Sequence, residues 1–466
     1  MVGSVAPAPP PGRWPVPRDK GTGAGAVDMR AVLCALVLMA AIFCLSFTRL
    51  EFSREAIGTN NCVLGADTAS YARALAHQKY SGLKPRKHPL AVALVSGIAR
   101  PLIAMGMSAA SAASVALALI QAIAAGLIFA FLRRLHAGSV MAMLLAGLAL
   151  SAFGTITIFG VVETYGVTIM AVALACLVFT MLAPHVTRAP WLTAAGAGAA
   201  GAVVGLANPP ALAFLLVHTG MAWRHARGSW IRRLGLTLLV PAAIASICAM
   251  LPAIVFDPVS GLLWQEQYLQ RYAALSNFTD PRILQDYLAS FFLFAFVAPI
   301  EHVQCRYVAA DAAALFADPM RAAALVGSYA IYLTGIVRGL AGAQRPLVLA
   351  SLGCVAVLFV FYLFFNPDEA LLYSSQWTLA LPIAAAPGLV AGGRGSAAIA
   401  VALALSLAVN LAPLHDRASA DRGACCPAPP ATMLDREHPL RQPLAGAGQS
   451  TQSRAVCGPL KARAGP

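Results

Sequence analysis

From Met29 onward the chain alternates long apolar runs with short polar breaks, and the runs have the length of a membrane crossing. They fall at about 29–48, 111–132, 139–160, 166–183, 192–206, 210–223, 234–256, 320–340, 347–366, 376–392 and 397–414. About 20 apolar residues rise roughly 30 Å as α-helix, the thickness of a bilayer's hydrocarbon core. The period-two alternation of lipid-facing strands is absent. The pattern therefore predicts an all-α polytopic membrane protein with about 11 spans and one further helix, re-entrant or interfacial. At 205–214, "GLANPPALAF" divides a longer apolar run, because Pro209 and Pro210 cannot continue a helix from Asn208.

The further helix is 88–107, "HPLAVALVSGIARPLIAMGM". Arg100-Pro101 in its middle predicts a broken or re-entrant segment that enters and leaves on one face. The alternative is an ordinary crossing, with the alternation of sides shifted elsewhere. Two large hydrophilic segments, 49–87 and 257–319, are expected as outer loops. In the second, Trp264, Tyr268 and Tyr272 recur every four residues, as in an amphipathic helix lying at the interface. Asn277-Phe278-Thr279 there matches a glycosylation acceptor triplet by pattern. Residues 1–28 and 415–466 are rich in Pro, Ala, Gly and Arg and are expected to be disordered, with the former cytoplasmic, leaving 29–414 as a single membrane domain.

Composition sharpens this picture. Of 466 residues, 59% are hydrophobic and only 11% charged, against about 25% charged in a soluble domain. The net charge of +14 sits in short loops: "RRLHAGS", "HVTRAP", "WRHARGSWIRR", "VRGLAGAQR" and "AGGRG" each carry arginine and none carries Asp or Glu. Together with Arg13, Arg18, Lys20 and Arg30 before the first run, they place the N-terminus and these loops in the cytoplasm. Of the 19 acids only Asp19 and Asp28 then fall on that side. With no basic face interleaved with aromatics, nucleic acid is excluded as a partner.

Candidate chemistry gathers on the outer side. Asp67, Glu163 in "FGVVETYGV", and Asp368 and Glu369 in "FNPDEALLYSSQW" stand at or near the ends of apolar runs. One such acid can serve as general base to a hydroxyl, and Asp67 with Glu163 can hold a divalent metal. Asp67 also precedes "TASYARAL" and fits a helix N-cap, a role compatible with the first. Lys84, Arg86 and Lys87 suit a phosphate or pyrophosphate head group. His88, before a proline, is either a turn residue or, with Asp368, Glu369 and Tyr373, part of a substrate surface.

These features resemble the glycosyltransferase C superfamily, which includes protein mannosyltransferases and lipid A aminoarabinose transferases. The likeness lies in Asp67 in the first outer loop, "KPRKHPL" beside the family's "HPPL" or "KPPL", "FLRRLHAG" beside its "ARRLFG", Glu163, and "GLANPPALAFLL" beside its "GLAxLTKGPxxLLL". Leu90 stands where the family has a second proline, and Asn208-Pro209-Pro210 where it has Lys-Gly-Pro. The resemblance implies a polyprenyl-phosphate sugar donor, an acceptor hydroxyl on the outer side and inversion at the anomeric carbon. It further implies an extracytoplasmic active site in a multi-pass cell-membrane protein, with Asp67 and Glu163 as the catalytic acids and Lys84 or Lys87 near the donor phosphate.

Overall fold

The computed structural model describes residues 28–52, 88–135, 137–161, 163–256, 273–298, 312–367, 370–392 and 395–420. Among them the only β-type contact is an isolated antiparallel bridge between Ala273 and Phe365. The α-helices are α1 (Met29–Phe52), α2 (Pro89–Ala104), α3 (Ala109–Arg134), α4 (Ser139–Leu150), α5 (Phe153–Phe159), α6 (Tyr165–Leu182), α7 (Pro190–Ala207), α8 (Leu215–Trp223), α9 (Trp230–Leu234), α10 (Val240–Phe256), α11 (Pro281–Ala289), α12 (Ala312–Ala317), α13 (Pro319–Ala341), α14 (Arg345–Phe364), α15 (Ala370–Gly392) and α16 (Ser396–Ala420). Among the described residues, seven stretches are long and apolar enough to cross a membrane on their own: α1, α3, α6, α7, α9 running into α10, α13 and α14. The molecule is thus an all-helical protein of membrane type.

Helix starts follow local chemistry. Ser108 accepts from Ser111 N at 3.2 Å at the head of α3, Asp280 from Arg282 N at 2.9 Å at α11, and Asp318 from Met320 N at 2.9 Å at α13. Each satisfies a backbone donor that the first turn leaves over. Arginines collect at one end of the bundle, where Arg133 closing α3 pairs with Asp28 before α1 at 3.0 Å. Glycines set the closest helix approach. A Cβ on Gly388 of α15 would run into Gly335 O of α13 and lie 2.7 Å from Gly339 N. Backbones this near replace the hydrophobic drive that lipid removes.

The run 139–160, expected as one span, is two helices: α4 and α5 meet at an 80° bend. At a break of this kind backbone groups need protein partners, since lipid supplies none. Phe153 N donates to Phe296 O at 3.2 Å and Gly154 N to Ala295 O at 2.9 Å. Asn410 of α16 closes the remainder: its Nδ2 donates to Ser151 O at 2.9 Å and to Phe296 O at 2.7 Å, while its Oδ1 accepts from Ala298 N at 2.9 Å.

These bonds correct the expectation that 257–319 is simply an outer loop. Its described part, 273–298, leaves the end of α14 and packs inward. Tyr287 donates to Phe359 O at 2.7 Å, Phe291 stacks on Trp377 at 4.1 Å, and Phe294 to Ala298 are buried. The aromatic residues of this described part, Tyr287, Phe291, Phe294 and Phe296, serve as core. Trp264, Tyr268 and Tyr272 lie outside the described residues, as do 1–27 and 421–466.

At 88–107 the expected break is absent. α2 runs unbroken through Pro101, with Met105 N still donating to Pro101 O at 3.1 Å. The proline stands three residues before the helix end, where its missing N–H removes one bond without severing the helix. A tight turn around Gly106, at φ 93°, reverses the chain into α3.

Candidate functional site

The end of the bundle opposite the arginine cluster, the far end, gathers the polar groups that apolar segments otherwise exclude. Glu163 precedes α6 and is only 5% exposed. Its Oε2 accepts from Thr164 N at 2.9 Å and from Thr164 Oγ1 at 3.4 Å. This fixes the carboxylate at the positive end of an 18-residue helix, a favourable place for an anion.

Two residues on, Tyr165 joins Glu163 to the other described site candidates. The His88 ring lies edge-on to Tyr165 at 6.3 Å, and His88 Nδ1 is 2.6 Å from Ala207 O, the end of α7. With a carbonyl as partner, Nδ1 is a protonated nitrogen and the donor. On its other side Tyr165 meets Tyr373 at 5.7 Å, and Tyr373 stacks on Tyr362 at 4.2 Å. Tyr362 donates to Gln376 Oε1 at 2.9 Å. Asn366, held at φ 56° between α14 and α15, points its Nδ2 to Tyr373 Oη at 3.5 Å. An asparagine tolerates that left-handed backbone where most side chains do not.

His88 and Tyr373 thus meet on either side of Tyr165, two residues along the chain from Glu163, where the ends of α2, α6 and α15 come together as a floor. Asp67, Lys84, Arg86, Lys87, Asp368 and Glu369 lie outside the described residues. Tyr373 was expected before a span beginning at 376, yet α15 starts at Ala370, and Tyr373 to Thr378 are all buried inside the bundle. Asn277 is corrected as a glycosylation acceptor. It is 7% exposed, and its Nδ2 caps α14 by donating to Leu363 O at 3.1 Å and Phe364 O at 3.3 Å.

Sequence reasoning missed several groups here. Gln121 of α3 is fully buried, and among the described residues neither amide atom has a hydrogen-bond partner. A Cβ on Gly166, in the first turn of α6, would stand 2.8 Å from its Nε2. Gln121 lies twelve residues into α3, so α3 continues about 18 Å beyond this level. The α2–α3 hairpin therefore rises beside the floor. Arg49, near the end of α1, lies over the turn that follows α5. Its Cβ is 3.3 Å and its Cδ 3.7 Å from where a Gly160 Cβ would be. It is half-buried, and among the described residues its side chain makes no ion pair.

Among the described residues no three His, Cys, Asp or Glu side chains come together in a way that could hold a metal. Two cavities elsewhere among the described residues have apolar linings. One of about 20 Å³ lies between Phe131, Cys176 and Pro382, and an open groove of about 640 Å³ runs along α14 from Phe278 to Val357. Both are lined by apolar side chains apart from the buried Cys176 thiol, and the candidate site is taken as the polar groups around Glu163 and Tyr165. No family model and no curated protein matches this chain.

Proposed function

We propose that the protein is a membrane glycosyltransferase that moves a sugar from a polyprenyl phosphate to a hydroxyl on the extracytoplasmic side. The observation that carries this reading is the buried Glu163 carboxylate, 5% exposed, two residues from Tyr165, whose ring is flanked by His88 and by the Tyr373–Tyr362 stack. Aromatic faces and short polar side chains suit a sugar ring, which presents C–H faces and hydroxyl edges.

In this reaction Asp67 takes the acceptor's proton as its oxygen attacks the anomeric carbon. The bond from that carbon to the phosphate oxygen breaks, and the lipid phosphate leaves with the electron pair. Inversion follows from a single displacement. Lys84, Arg86 and Lys87 steady the departing phosphate. Glu163 orients the sugar or, with Asp67, holds a divalent metal that would polarise the phosphate. The far end then faces away from the cytoplasm, and the arginine loops face into it.

The deciding experiment compares cell-envelope glycans by mass spectrometry with and without the gene. Loss of one hexose-type mass increment from a glycan, lipid or protein supports the reading, and identical glycans refute it. One observation favours a second reading, a transporter or flippase: the 80° break between α4 and α5 resembles the discontinuous helices that line transport sites. Movement of labelled lipid across vesicles by the purified protein, without sugar transfer, would select it.

A further inference from the structure

Between α8 and α9, at the arginine end, "RHARGSWIRR" carries four arginines and no acid. Local bonds hold this turn in one shape. Gly228 takes φ 103°, a left-handed backbone that glycine adopts freely. Arg233 Nε donates to Gly228 O at 3.1 Å, and Arg232 lays its Cδ 3.1 Å from where a Gly228 Cβ would be. Below the turn, Thr237 Oγ1 donates to Arg233 O at 2.8 Å, and Thr219 Oγ1 of α8 donates to Thr237 O at 3.0 Å. That last bond ties α8 to the π-helical turn Gly235–Leu239 that leads into α10. Arg227 and Arg232 are therefore exposed on a fastened hairpin.

Apolar side chains stand beside them. Trp230 is 67% and Ile231 64% exposed, and they begin a stretch long and apolar enough to cross a membrane. α7 runs parallel to α10: Gly198 abuts Ile244, and Gly205 abuts Ala249. Counted back at about 1.5 Å per residue, Arg188 and the exposed Trp191 at the head of α7 come level with the Trp230–Arg233 turn to within about two helical turns. Indole rings settle where acyl chains meet headgroups. The guanidinium fork matches the oxygens of a phosphate two at a time.

We propose that the α8–α9 hairpin binds the headgroup of an acidic phospholipid, with Arg227 and Arg232 on its phosphate and Trp230 and Ile231 against its acyl chains. Positive charge at this end attracts any anion, and the hairpin adds two forks on a fixed turn next to apolar anchors. The site lies at the opposite end from Glu163 and does not depend on the glycosyltransferase reading. Free phosphate presents the same oxygens, so the test separates the two sources.

The full-length protein in mixed micelles is titrated with phosphatidylglycerol, and bound lipid is counted by native mass spectrometry. Phosphatidylcholine and inorganic phosphate are the controls. Replacing Arg227 and Arg232 together by Gln is expected to weaken phosphatidylglycerol binding about tenfold or more. Replacing both by Lys, which keeps the charge without the fork, is expected to recover part of the loss. Arg338→Gln, at an exposed arginine of the same end but outside the hairpin, is expected to leave binding unchanged. Melting temperatures near that of the parent show an intact fold. In the unsubstituted protein, acyl-brominated phosphatidylglycerol is expected to quench the emission that Trp230→Phe removes, and brominated phosphatidylcholine to quench it less. Unchanged binding in the double Gln variant overturns the proposal, as does equal quenching by the two lipids. An equal loss in Arg338→Gln also overturns it, by assigning the binding to general charge. Displacement of the lipid by an equal concentration of inorganic phosphate overturns it as well, by assigning the site to a free anion.

Discussion

At the scale of single residues, the feature that organises the far end is one acid held by its own helix. Glu163 accepts from Thr164 N at 2.9 Å, a bond that a glutamine oxygen at the same position can keep. Glu163→Gln should therefore leave the protein's abundance and melting unchanged while reducing sugar transfer about 100-fold or more. Transfer of a radiolabelled sugar from a polyprenyl-phosphate donor in proteoliposomes measures it, and full activity would remove Glu163 from the mechanism. Tyr362→Phe has a different signature. It takes away the hydroxyl that donates to Gln376 Oε1, whose Nε2 already has no partner among the described residues. An amide then buried without either bond predicts a loss of about 1–3 kcal/mol in stability, visible as a lower unfolding midpoint in detergent. Glu163 was legible in the sequence because no other acid interrupts the chain from 88 to 256. Gln121 was not, because a lone amide in "ALALIQAIAAG" leaves the apolar run intact. Arg49 was hidden too, since a cation at the end of a span reads as the start of a loop.

At the scale of elements, the telling part is the join between the broken α4–α5 pair and segment 273–298. Asn410 supplies a donor to Phe296 O at 2.7 Å and an acceptor to Ala298 N at 2.9 Å. Asn410→Leu strips both, and the bond to Ser151 O, while filling the same space: Ala298 N loses its partner, whereas Phe296 O keeps Phe153 N at 3.2 Å. With about 1–3 kcal/mol for the orphaned N–H and about 0.5–1.5 kcal/mol for each of the two carbonyl bonds lost, a destabilisation of about 2–5 kcal/mol is expected. Denaturant unfolding in mixed micelles checks it, and Ser406 still bonds Ser151 O at 3.1 Å to hold α4 in place. Gly388→Ala tests the close packing of α15 on α13. Its added carbon meets backbone that no side-chain rotation can move aside, so a loss of about 1–3 kcal/mol is expected from overpacking. Apolar length made the long helices readable from sequence. The α4–α5 break was not, because "LALSAFGTI" has no proline and only one polar side chain before its bend. The inward course of 273–298 was equally hidden. Its partners, Phe359, Trp377 and Asn410, are 72 to 114 residues away in the chain, and no local pattern reports such pairings.

At the scale of the whole molecule, the arginine end and the far end divide the protein by charge and chemistry. If the far end is extracytoplasmic, Leu275→Cys there should react with a membrane-impermeant maleimide in intact cells. Arg188→Cys at the arginine end should react only after permeabilisation. Labelling is measured by mass shift on gels in a background without other accessible thiols, and the opposite pattern would invert the topology and move the site to the cytoplasm. The all-helical class and the arginine asymmetry came from composition, which is why they were accessible without coordinates. The convergence of α2, α6, α14 and α15 on one floor is long-range and was not.

The Asn410 clasp also has a consequence for biogenesis. The residue that completes the backbone bonding at Ser151, Phe296 and Ala298 belongs to α16, the last described helix. A nascent chain arrested before that helix emerges would leave those peptide groups facing lipid or one another. Final closure of the bundle therefore awaits synthesis of α16, and a truncation as late as Ala400 should be recognised by membrane quality control and degraded while the longer chain persists.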